Sequence, residues 1–340
     1  MTYKVAFSFA DGKTLFCQVQ NNEILLDAAL RSGIKIPLDC REGVCATCQG
    51  RCESGQYSQD YVDDEALSAQ DLAERKVLTC QTRVQSDAAF YFDFDSSLCG
   101  AKGPASLQGT VSQVQQVSPT TAIVHVETGA AGAALDYLPG QYARLQVPGT
   151  EQRRSYSFAC APGSSTLQFL IRLLPSGVMS DYVRQRCQVG DVIEMEAPLG
   201  AFYLRHVDRP LVMVAGGTGL SAFLGMLDQL AAQGGCGQPV HLYYGVRNAA
   251  DLCEVARIQG YAAHIPGFRF TPVVSEPGAD WPGKAGYIAE HLEVAALRDQ
   301  PFDLYLCGPP PMVESIKTWR SEHGLEHSRL YLEKFTESNT

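Results

Sequence analysis

Three cysteines lie close together at Cys40, Cys45 and Cys48, and a fourth, Cys80, lies well downstream. Intervals of four and then two residues, with one remote partner, are the spacing with which thiolates hold a [2Fe–2S] cluster. Two bridged irons need four sulfur ligands in a tight loop, whose backbone N–H groups offset the negative charge of the cluster. Gly43 suits such a loop because glycine enters positive-φ conformations freely. The sequence therefore predicts a [2Fe–2S] cluster held by these four thiols.

Three simpler explanations of the thiols remain as alternatives. Structural zinc sites favour paired C-x2-C knuckles, whereas this chain has one such pair and none around Cys80. Disulfides are rare in a reducing cytosol, and core cysteines seldom lie beside charged residues such as Arg41 and Glu42. Cys52 is near the group, but its offset from Cys48 matches no two-iron pattern, so we interpret it as a spectator.

The composition is that of an ordinary globular protein with more than one domain. The chain has 340 residues, of which 45% are hydrophobic and 19% charged, enough for two or three domains with cores of their own. A net charge of −10 argues against a nucleic-acid partner. Twelve scattered cysteines fit free thiols in a reducing compartment. Glycines interrupt the longest apolar run, 211–227, so we expect no membrane span and a cytoplasmic protein.

The N-terminal part of the chain has the element order of a β-grasp fold. Alternating apolar residues predict a β-hairpin over 3–19, and helical periodicity over 24–31 ends at Gly33. The cysteine loop follows. We place this module at 1–98, and the small residues after it predict a linker at 99–106.

Two further modules follow, so the predicted fold class is multidomain α+β and α/β. Short strands and turns over 107–206 favour an antiparallel β-barrel. Its strands are expected at 110–117, 122–127, 141–147, 153–160 and 167–174. Buried strands that alternate with helices over 207–340 favour a doubly wound domain with a parallel sheet. Its strands are expected at 211–215, 240–245, 270–274 and 303–307.

A polar strand in the second module carries residue types that suit a flavin nucleotide. Arg154 could pair with a pyrophosphate, Tyr156 could lie against the isoalloxazine ring and Ser157 could hydrogen-bond near flavin N5. A second segment ends in a glycine turn that opens a helix, where N-terminal amides bind phosphate. Its candidate residues are Arg172, Gly177, Val178, Met179 and Ser180. Taken alone, the first motif also fits a merely polar strand.

A glycine-rich turn, Gly216-Gly217-Thr218-Gly219, follows the first strand of the third module. Glycine residues between a buried strand and a helix let the backbone approach a dinucleotide phosphate, although a tight turn without ligand has the same pattern. No Asp or Glu occurs about 20 residues later, where a simple NAD-binding fold has one. The next strand instead ends at Arg247, which in such a fold would favour NADP.

Together these motifs resemble those of the ferredoxin–NADP reductase family. Residues 40–80 resemble the ferredoxin module of plant-type iron–sulfur proteins, and the other motifs follow in the order found in the family. The resemblance implies that the ribose is selected after the next strand, at Glu276. A carboxylate there would repel a 2′-phosphate and accept the ribose hydroxyls, so we expect NADH as the electron donor.

The resemblance also implies roles for residues near the C-terminus. Cys307, followed by Gly308 and Pro309, resembles the family's Cys-Gly-Pro-x-x-Met motif, in which the thiol lies beside nicotinamide C4. In the terminal strand, Phe335 would cover the flavin face and Glu333 would assist proton movement. A buried cysteine in a proline-rich turn and a core phenylalanine are the alternatives. The predicted catalytic residues are Ser157, Cys307 and Glu333.

The order of the three modules implies electron transfer from NADH through FAD and a [2Fe–2S] cluster to an external protein. The same order of modules is found in the reductase components of bacterial ring-hydroxylating dioxygenases of the benzoate and anthranilate type, which this chain resembles. The resemblance implies that the partner is a terminal oxygenase. Reductases of diiron phenol, toluene and methane monooxygenases share this order and are the alternative. A binding scaffold with a zinc or redox-sensing site is another, but it has no use for flavin and nicotinamide motifs.

Overall fold

The computed structural model describes residues 2–100, 104–325 and 327–334. The predicted flavin-covering residue, Phe335, lies outside them. The chain divides into two compact units, Met1–Ala105 with Leu199–Ala201, and Ser106–Pro198 with Phe202–Thr340. Within the described ranges, no helix combines the length and the apolar character that crossing a membrane requires.

The first unit contains a five-stranded mixed sheet. The strands of the unit, five in this sheet and two in a separate pair, are β1 (Thr2–Phe9), β2 (Thr14–Gln20), β3 (Gln49–Ser54), β4 (Tyr57–Gln59), β5 (Lys76–Leu78), β6 (Thr82–Val84) and β7 (Ala88–Phe92). Its helices are α1 (Leu25–Arg31) and α2 (Ala69–Ala73), with 3₁₀ turns at Thr79–Gln81 and Ser96–Cys99. The sheet order is β2-β1-β7-β3-β5, and β4 pairs with β6 separately. β1 is antiparallel to β2 and parallel to β7, as a β-grasp fold requires.

Alternation along β1 explains why this segment is a strand with one buried face. Val5, Phe7 and Phe9 are almost fully buried, and the rings of Phe7 and Phe9 pack against Phe92 of β7. A strand turns successive side chains to opposite faces, so this pattern directs one face to the core. The predicted hairpin and the helix after it are both present.

The segment predicted as a linker begins inside the first unit. Cys99 is buried, and its carbonyl oxygen accepts a hydrogen bond from the Lys35 N–H at 3.2 Å. Residues 101–103 lie outside the described part of the chain, and the next strand begins at Ala105.

An antiparallel barrel forms the first part of the second unit. Its strands are β8 (Ala105–Ser118), β9 (Thr121–Glu127), β10 (Tyr142–Gln146), β11 (Arg153–Ser157), β12 (Thr166–Arg172) and β13 (Val192–Leu199), and its helices are α3 (Gly129–Ala133) and α4 (Val178–Gln185). The sheet order is β11-β10-β13-β8-β9-β12. A bridge between Phe158, directly after β11, and Phe169 of β12 joins the two ends of the sheet and closes the barrel.

The strand β13 was missing from the sequence prediction. Its buried residues Ile193, Met195 and Ala197 alternate with more exposed ones, and this alternation is the signal that could have located it. The two glutamates between them give the segment a polar character.

A parallel six-stranded sheet forms the rest of the second unit. Its strands are β14 (Leu211–Gly216), β15 (Val240–Val246), β16 (Phe268–Val274), β17 (Lys284–Ala285), β18 (Asp303–Gly308) and β19 (Arg329–Lys334), and its helices are α5 (Leu220–Ala232), α6 (Val255–Gly260), α7 (Val294–Leu297) and α8 (Pro310–Glu322). The order β17-β16-β15-β14-β18-β19 reverses direction between β14 and β18. Ligands of doubly wound sheets bind at this switch point, beyond the carboxyl ends of the strands.

Burial on both faces explains the continuous apolar sequence of β14. Every residue of Leu211–Gly216 is buried, with α5 packed against this strand through Phe223, Leu224 and Leu227 among others. Full burial of one such side chain stabilises the fold by about 1.5–3 kcal/mol. The packing holds the glycine-rich turn between β14 and α5 in a fixed position.

Candidate functional site

The four predicted cluster ligands lie in two segments of the first unit. Cys40, Cys45 and Cys48 precede β3, and Cys80 lies in the 3₁₀ turn Thr79–Gln81. The thiols are hydrogen-bonded in two pairs, Cys40 with Cys45 and Cys48 with Cys80. Among the residues that the structure describes, no group of three or more His, Cys, Asp or Glu side chains is arranged around a single metal ion. Two pairs of thiols fit a two-iron cluster, in which each iron takes two thiolates.

The environment of these pairs favours one thiolate in each. The Cys45 thiol, together with the backbone N–H groups of Glu42, Val44 and Cys45, lowers the pKa of Cys40 to about 5. The Glu42 N–H donates to Cys40 Sγ at 3.3 Å. Hydrogen bonding from Cys48 likewise lowers the pKa of Cys80. The same hydrogen bonds raise the pKa of the partner thiols, Cys45 and Cys48, so each pair carries one negative charge. The backbone N–H groups that point at Cys40 are the kind of donor that offsets the charge of metal-bound thiolates.

Gly43 shapes the cysteine loop through its conformation and its lack of a side chain. Its φ is +83°, and a Cβ at this position would lie 2.4 Å from the Tyr61 carbonyl oxygen. The Gly43 carbonyl oxygen accepts a hydrogen bond from the Asp63 N–H at 3.0 Å. The loop therefore packs directly on the 61–63 segment and needs glycine there.

We expect Gly43→Ala to reduce the amount of cluster in the purified protein. The new methyl group must displace the loop or the Tyr61 backbone, and the positive φ adds strain of about 1–2 kcal/mol. The measurement is iron per chain after anaerobic purification. Gly33→Ala is the matched control, because Gly33 has a similar φ of +80° but nothing lies within 4 Å of its added Cβ. Equal iron content in the two variants would contradict this role of Gly43.

Cys52, in β3, has hydrogen-bond partners of its own. Its thiol donates to the Ser54 carbonyl oxygen at 3.3 Å and accepts from Arg75 Nη2 at 3.2 Å. Burial raises the pKa of this thiol, which keeps it protonated. These contacts fit its interpretation as a spectator.

The predicted flavin residues of the first motif lie on β11, paired with β10 of the barrel. The Arg154 guanidinium donates to the Arg153 carbonyl oxygen at 2.8 Å and to Gln152 Oε1 at 2.9 Å, so it lies along its own strand. Tyr156 packs against the barrel core, and burial raises the pKa of its phenol. Ser157, the last residue of β11, is almost fully buried.

In the second predicted flavin segment, the Arg172 side chain is exposed, whereas the side chains of Ser180 and Met179 face the protein itself. Ser180 Oγ accepts from the Leu174 N–H at 3.0 Å and donates to the Arg172 carbonyl oxygen at 3.2 Å. The Met179 side chain is buried in the barrel core. The groups suited to a phosphate are the exposed Arg172 guanidinium and the N–H groups of the first turn of α4, which begins after Gly177.

Glycine residues let two turns meet at the carboxyl edge of the parallel sheet. A Cβ on Gly219 would lie 2.2 Å from the Cys307 carbonyl oxygen, and one on Gly216 would lie 2.7 Å from Met312 Sδ. The residue before Gly216, Ala215, is paired with Cys307 across β14 and β18. The turn 216–219 and the turn 307–309 are therefore in direct contact, as the dinucleotide fingerprint requires.

The three predicted catalytic residues come together at this edge. Cys307 lies opposite Glu333 in the pairing of β18 with β19, and Ser157 Oγ donates to Glu333 Oε2 at 3.4 Å. Cys307 is completely buried. Burial, and secondarily the charge of Glu333, raises the pKa of its thiol, which therefore stays protonated.

Arg247 and Glu276, the two candidate ribose selectors, form an ion pair. They follow the adjacent parallel strands β15 and β16, and Arg247 Nε lies 2.9 Å from Glu276 Oε1. The Glu276 N–H also donates to the Arg247 carbonyl oxygen at 2.8 Å. Both side chains are more than half exposed. The Arg247 guanidinium is thus paired with the Glu276 carboxylate in this structure.

Sequence reasoning missed Ser221 as a site residue. Its hydroxyl donates to the Ser157 carbonyl oxygen at 2.7 Å and so links α5 to the end of the flavin strand. The contact joins residues 64 positions apart in the chain, and no local sequence pattern predicts it.

Three family models match consecutive parts of the chain. They describe a 2Fe-2S iron-sulfur cluster binding domain at 8–85, an oxidoreductase FAD-binding domain at 108–203 and an oxidoreductase NAD-binding domain at 213–318. The chain is 59% identical to the anthranilate 1,2-dioxygenase electron transfer component of Acinetobacter baylyi, over 100% of this chain and 99% of that protein. The chain belongs to this family of oxygenase electron transfer components.

Other members of the family support the same assignment. The toluate 1,2-dioxygenase electron transfer component of Pseudomonas putida is 42% identical over 99% of this chain and 100% of its own length. The crystal structure of an Amycolatopsis cytochrome P450 reductase matches with a TM-score of 0.70 and 32% identity, over 98% of this chain and 99% of that one. As a family member, the protein is an oxidoreductase that binds a [2Fe–2S] cluster, FAD and NAD.

The residues of the two units fit these cofactors. The two pairs of thiols bring together four sulfur atoms, the number that the two irons of such a cluster need. The polar strand β11 and the first turn of α4 provide donors suited to a flavin nucleotide, and the two glycine turns leave the backbone at the sheet edge open to a second nucleotide.

Proposed function

We propose that this protein carries electrons from NADH to the terminal oxygenase of an anthranilate-type ring-hydroxylating dioxygenase in the cytoplasm. Support for the type of oxygenase comes from the 59% identity over the full chain to an electron transfer component of that class. Support for the donor and the route comes from the site itself, where Ser157, Glu333 and Cys307 meet at the switch point of the nucleotide-binding sheet.

The protein's own contribution is to hold and orient the reacting groups. When bound, FAD would supply the exchange between a two-electron hydride donor and one-electron acceptors, and a [2Fe–2S] cluster would supply a one-electron carrier. Because the Ser157 hydroxyl donates a hydrogen bond to Glu333, its oxygen can still accept one, and the N–H that forms at flavin N5 on reduction would be a suitable donor. The protonated, buried Cys307 adds no negative charge beside this point. Cys40, Cys45, Cys48 and Cys80 are the proposed cluster ligands.

Glu276 is the proposed selector of NADH over NADPH. Its carboxylate repels a 2′-phosphate directly, and its ion pair with Arg247 withdraws the cation that a 2′-phosphate would use. The pair is exposed, so it adds little to stability. Its proposed effect is on specificity, because the Glu276 carboxylate repels NADPH and does not repel NADH.

We expect Glu276→Arg to lower the preference for NADH over NADPH by about tenfold or more, because two cations would then face the 2′-phosphate. The measurement is kcat/KM for each nucleotide. Glu322→Arg makes the same change of charge at the C-terminal end of α8 and serves as the control. An unchanged ratio in Glu276→Arg would locate the selector elsewhere.

The proposed partner is tested by pairing the purified protein with two oxygenases. With the oxygenase of an anthranilate dioxygenase we expect NADH-dependent product formation, at a rate well above that with the hydroxylase of a diiron phenol monooxygenase. The alternative has support in the 30% identity to the reductase component of a Pseudomonas phenol 2-monooxygenase. Faster turnover with the diiron hydroxylase would overturn the proposed partner in favour of that alternative.

A further inference from the structure

One face of α5 lies against the backbone that leaves the flavin strand. Ser221, Gly225 and Asp228 are spaced by four and three residues, so they lie on the same side of the helix. We call these three residues the seam. The segment opposite the seam is 157–160, which begins with Ser157.

The first two residues of the seam meet this segment directly. Ser221 Oγ donates to the Ser157 carbonyl oxygen at 2.7 Å. A Cβ on Gly225 would lie 2.9 Å from the Phe158 carbonyl oxygen and 2.8 Å from that of Cys160. Only glycine allows the helix to approach the backbone this closely.

Asp228, the third residue of the seam, is linked to the Ala159 carbonyl group through Arg257. Asp228 Oδ2 accepts from Arg257 Nη2 at 2.7 Å, and the same Nη2 donates to the Ala159 carbonyl oxygen at 2.8 Å. The Tyr261 hydroxyl donates to Asp228 Oδ1 at 2.6 Å and fixes this carboxylate. The seam therefore lies against the whole segment. The carbonyl oxygens of Ser157 and Ala159 accept hydrogen bonds from Ser221 and Arg257, and those of Phe158 and Cys160 lie close to Gly225.

The position of this helix affects both halves of the proposed reaction site. The N-terminus of α5 is continuous with the glycine turn 216–219, whereas its seam holds Ser157, whose hydroxyl donates to Glu333. A displacement of α5 would therefore move the nucleotide turn relative to the flavin strand.

We propose that the seam is a positioning surface for hydride transfer: Ser221 and Gly225 lock the nucleotide-binding helix onto the flavin strand and thereby set the alignment of the two nucleotides. This inference rests on the proposed NADH-to-FAD reaction. Misalignment of reacting groups by about 1 Å can cost about a hundredfold in rate, so the seam affects the chemical step more than nucleotide affinity.

The test compares Ser221→Ala and Gly225→Ala with Gly260→Ala in the full-length protein. Ser221→Ala removes one hydrogen bond, and Gly225→Ala forces the helix away from the backbone. Gly260 is also helical, but a Cβ there meets nothing within 4 Å, so its variant controls for the Gly-to-Ala change itself. Stopped-flow absorbance measures the rate constant for flavin reduction and the apparent affinity for NADH.

We expect flavin reduction to slow about threefold to tenfold in Ser221→Ala, from the loss of one hydrogen bond, and about tenfold or more in Gly225→Ala. NADH affinity should change by less than about twofold, and Gly260→Ala should match the wild type in both measurements. If Gly225→Ala does not fold, Ser221→Ala alone decides the outcome.

Hydrogen–deuterium exchange of the cofactor-free protein gives a second readout. The N–H groups of Phe158 and Ala159 are bonded to the carbonyl oxygens of Gln141 and Gln168, and we expect them to exchange faster in both seam variants but not in Gly260→Ala. Wild-type exchange and wild-type flavin reduction in the seam variants would overturn the positioning role. Failure of NADH to reduce the wild-type flavin would instead overturn the proposed function.

Discussion

Cys80→Ser is expected to stop electron delivery to protein acceptors while NADH still reduces the flavin. Cys80 supplies one of the four thiols and pairs with Cys48. A serine hydroxyl titrates far above the range in which the Cys80 thiolate forms, so it is a much poorer iron ligand. The predicted flavin and nicotinamide residues belong to the second unit and keep their contacts.

The measurement follows two signals in the same preparation. We expect NADH-dependent reduction of cytochrome c to fall by about a hundredfold or more, with flavin bleaching by NADH within about twofold of the wild type. Cys52→Ser is the matched control, because it also exchanges a thiol for a hydroxyl in the first unit but changes no predicted ligand. Equal loss of flavin reduction in Cys80→Ser would show that the two functions are not separable.

Ser157→Ala is expected to slow flavin reduction by about a hundredfold, the scale of losing one positioned hydrogen-bonding group beside the reacting atoms. The substitution removes the hydroxyl that donates to Glu333 and leaves that carboxylate without this donor. Affinity for NADH should change little, because the nucleotide-binding turns are untouched. Glu333→Gln should have a smaller effect in the same direction, since an amide oxygen can still accept the bond.

Stopped-flow reduction of the flavin by NADH checks these values. Ser112→Ala is the control, because the Ser112 hydroxyl donates to the His125 carbonyl oxygen at 3.3 Å on an exposed part of β8. If flavin reduction is as fast in Ser157→Ala as in the control, Ser157 has no role in this step. Loss of NADH binding without a change in rate would give it a binding role instead.

Local sequence predicted those parts of the site in which chemistry and backbone geometry lie within a few residues of each other. The spacing of Cys40, Cys45 and Cys48 depends on one loop, and the glycine turn 216–219 depends on one strand-to-helix connection. The cofactors inferred from them agree with the family to which the chain belongs. The residue roles assigned within each site remain predictions.

Local sequence patterns do not predict contacts between segments that are distant in the chain. The pairing of Arg247 with Glu276 arises because β15 and β16 are adjacent, and only the sheet order shows that the two candidate selectors act on each other. Ser221 has no signature of its own. Its role depends on where α5 meets the barrel, which is set by packing of the whole second unit.

The most direct test of electron transfer from NADH to a two-iron cluster is an anaerobic titration of the purified protein with NADH, with absorbance as the readout. The metal and flavin content of the same material is measured first. We predict about two irons and one FAD per chain, with NADH bleaching first the flavin bands and then those of the cluster. Zinc in place of iron, or cluster absorbance bands that persist after full flavin reduction, would contradict electron transfer from NADH to a two-iron cluster.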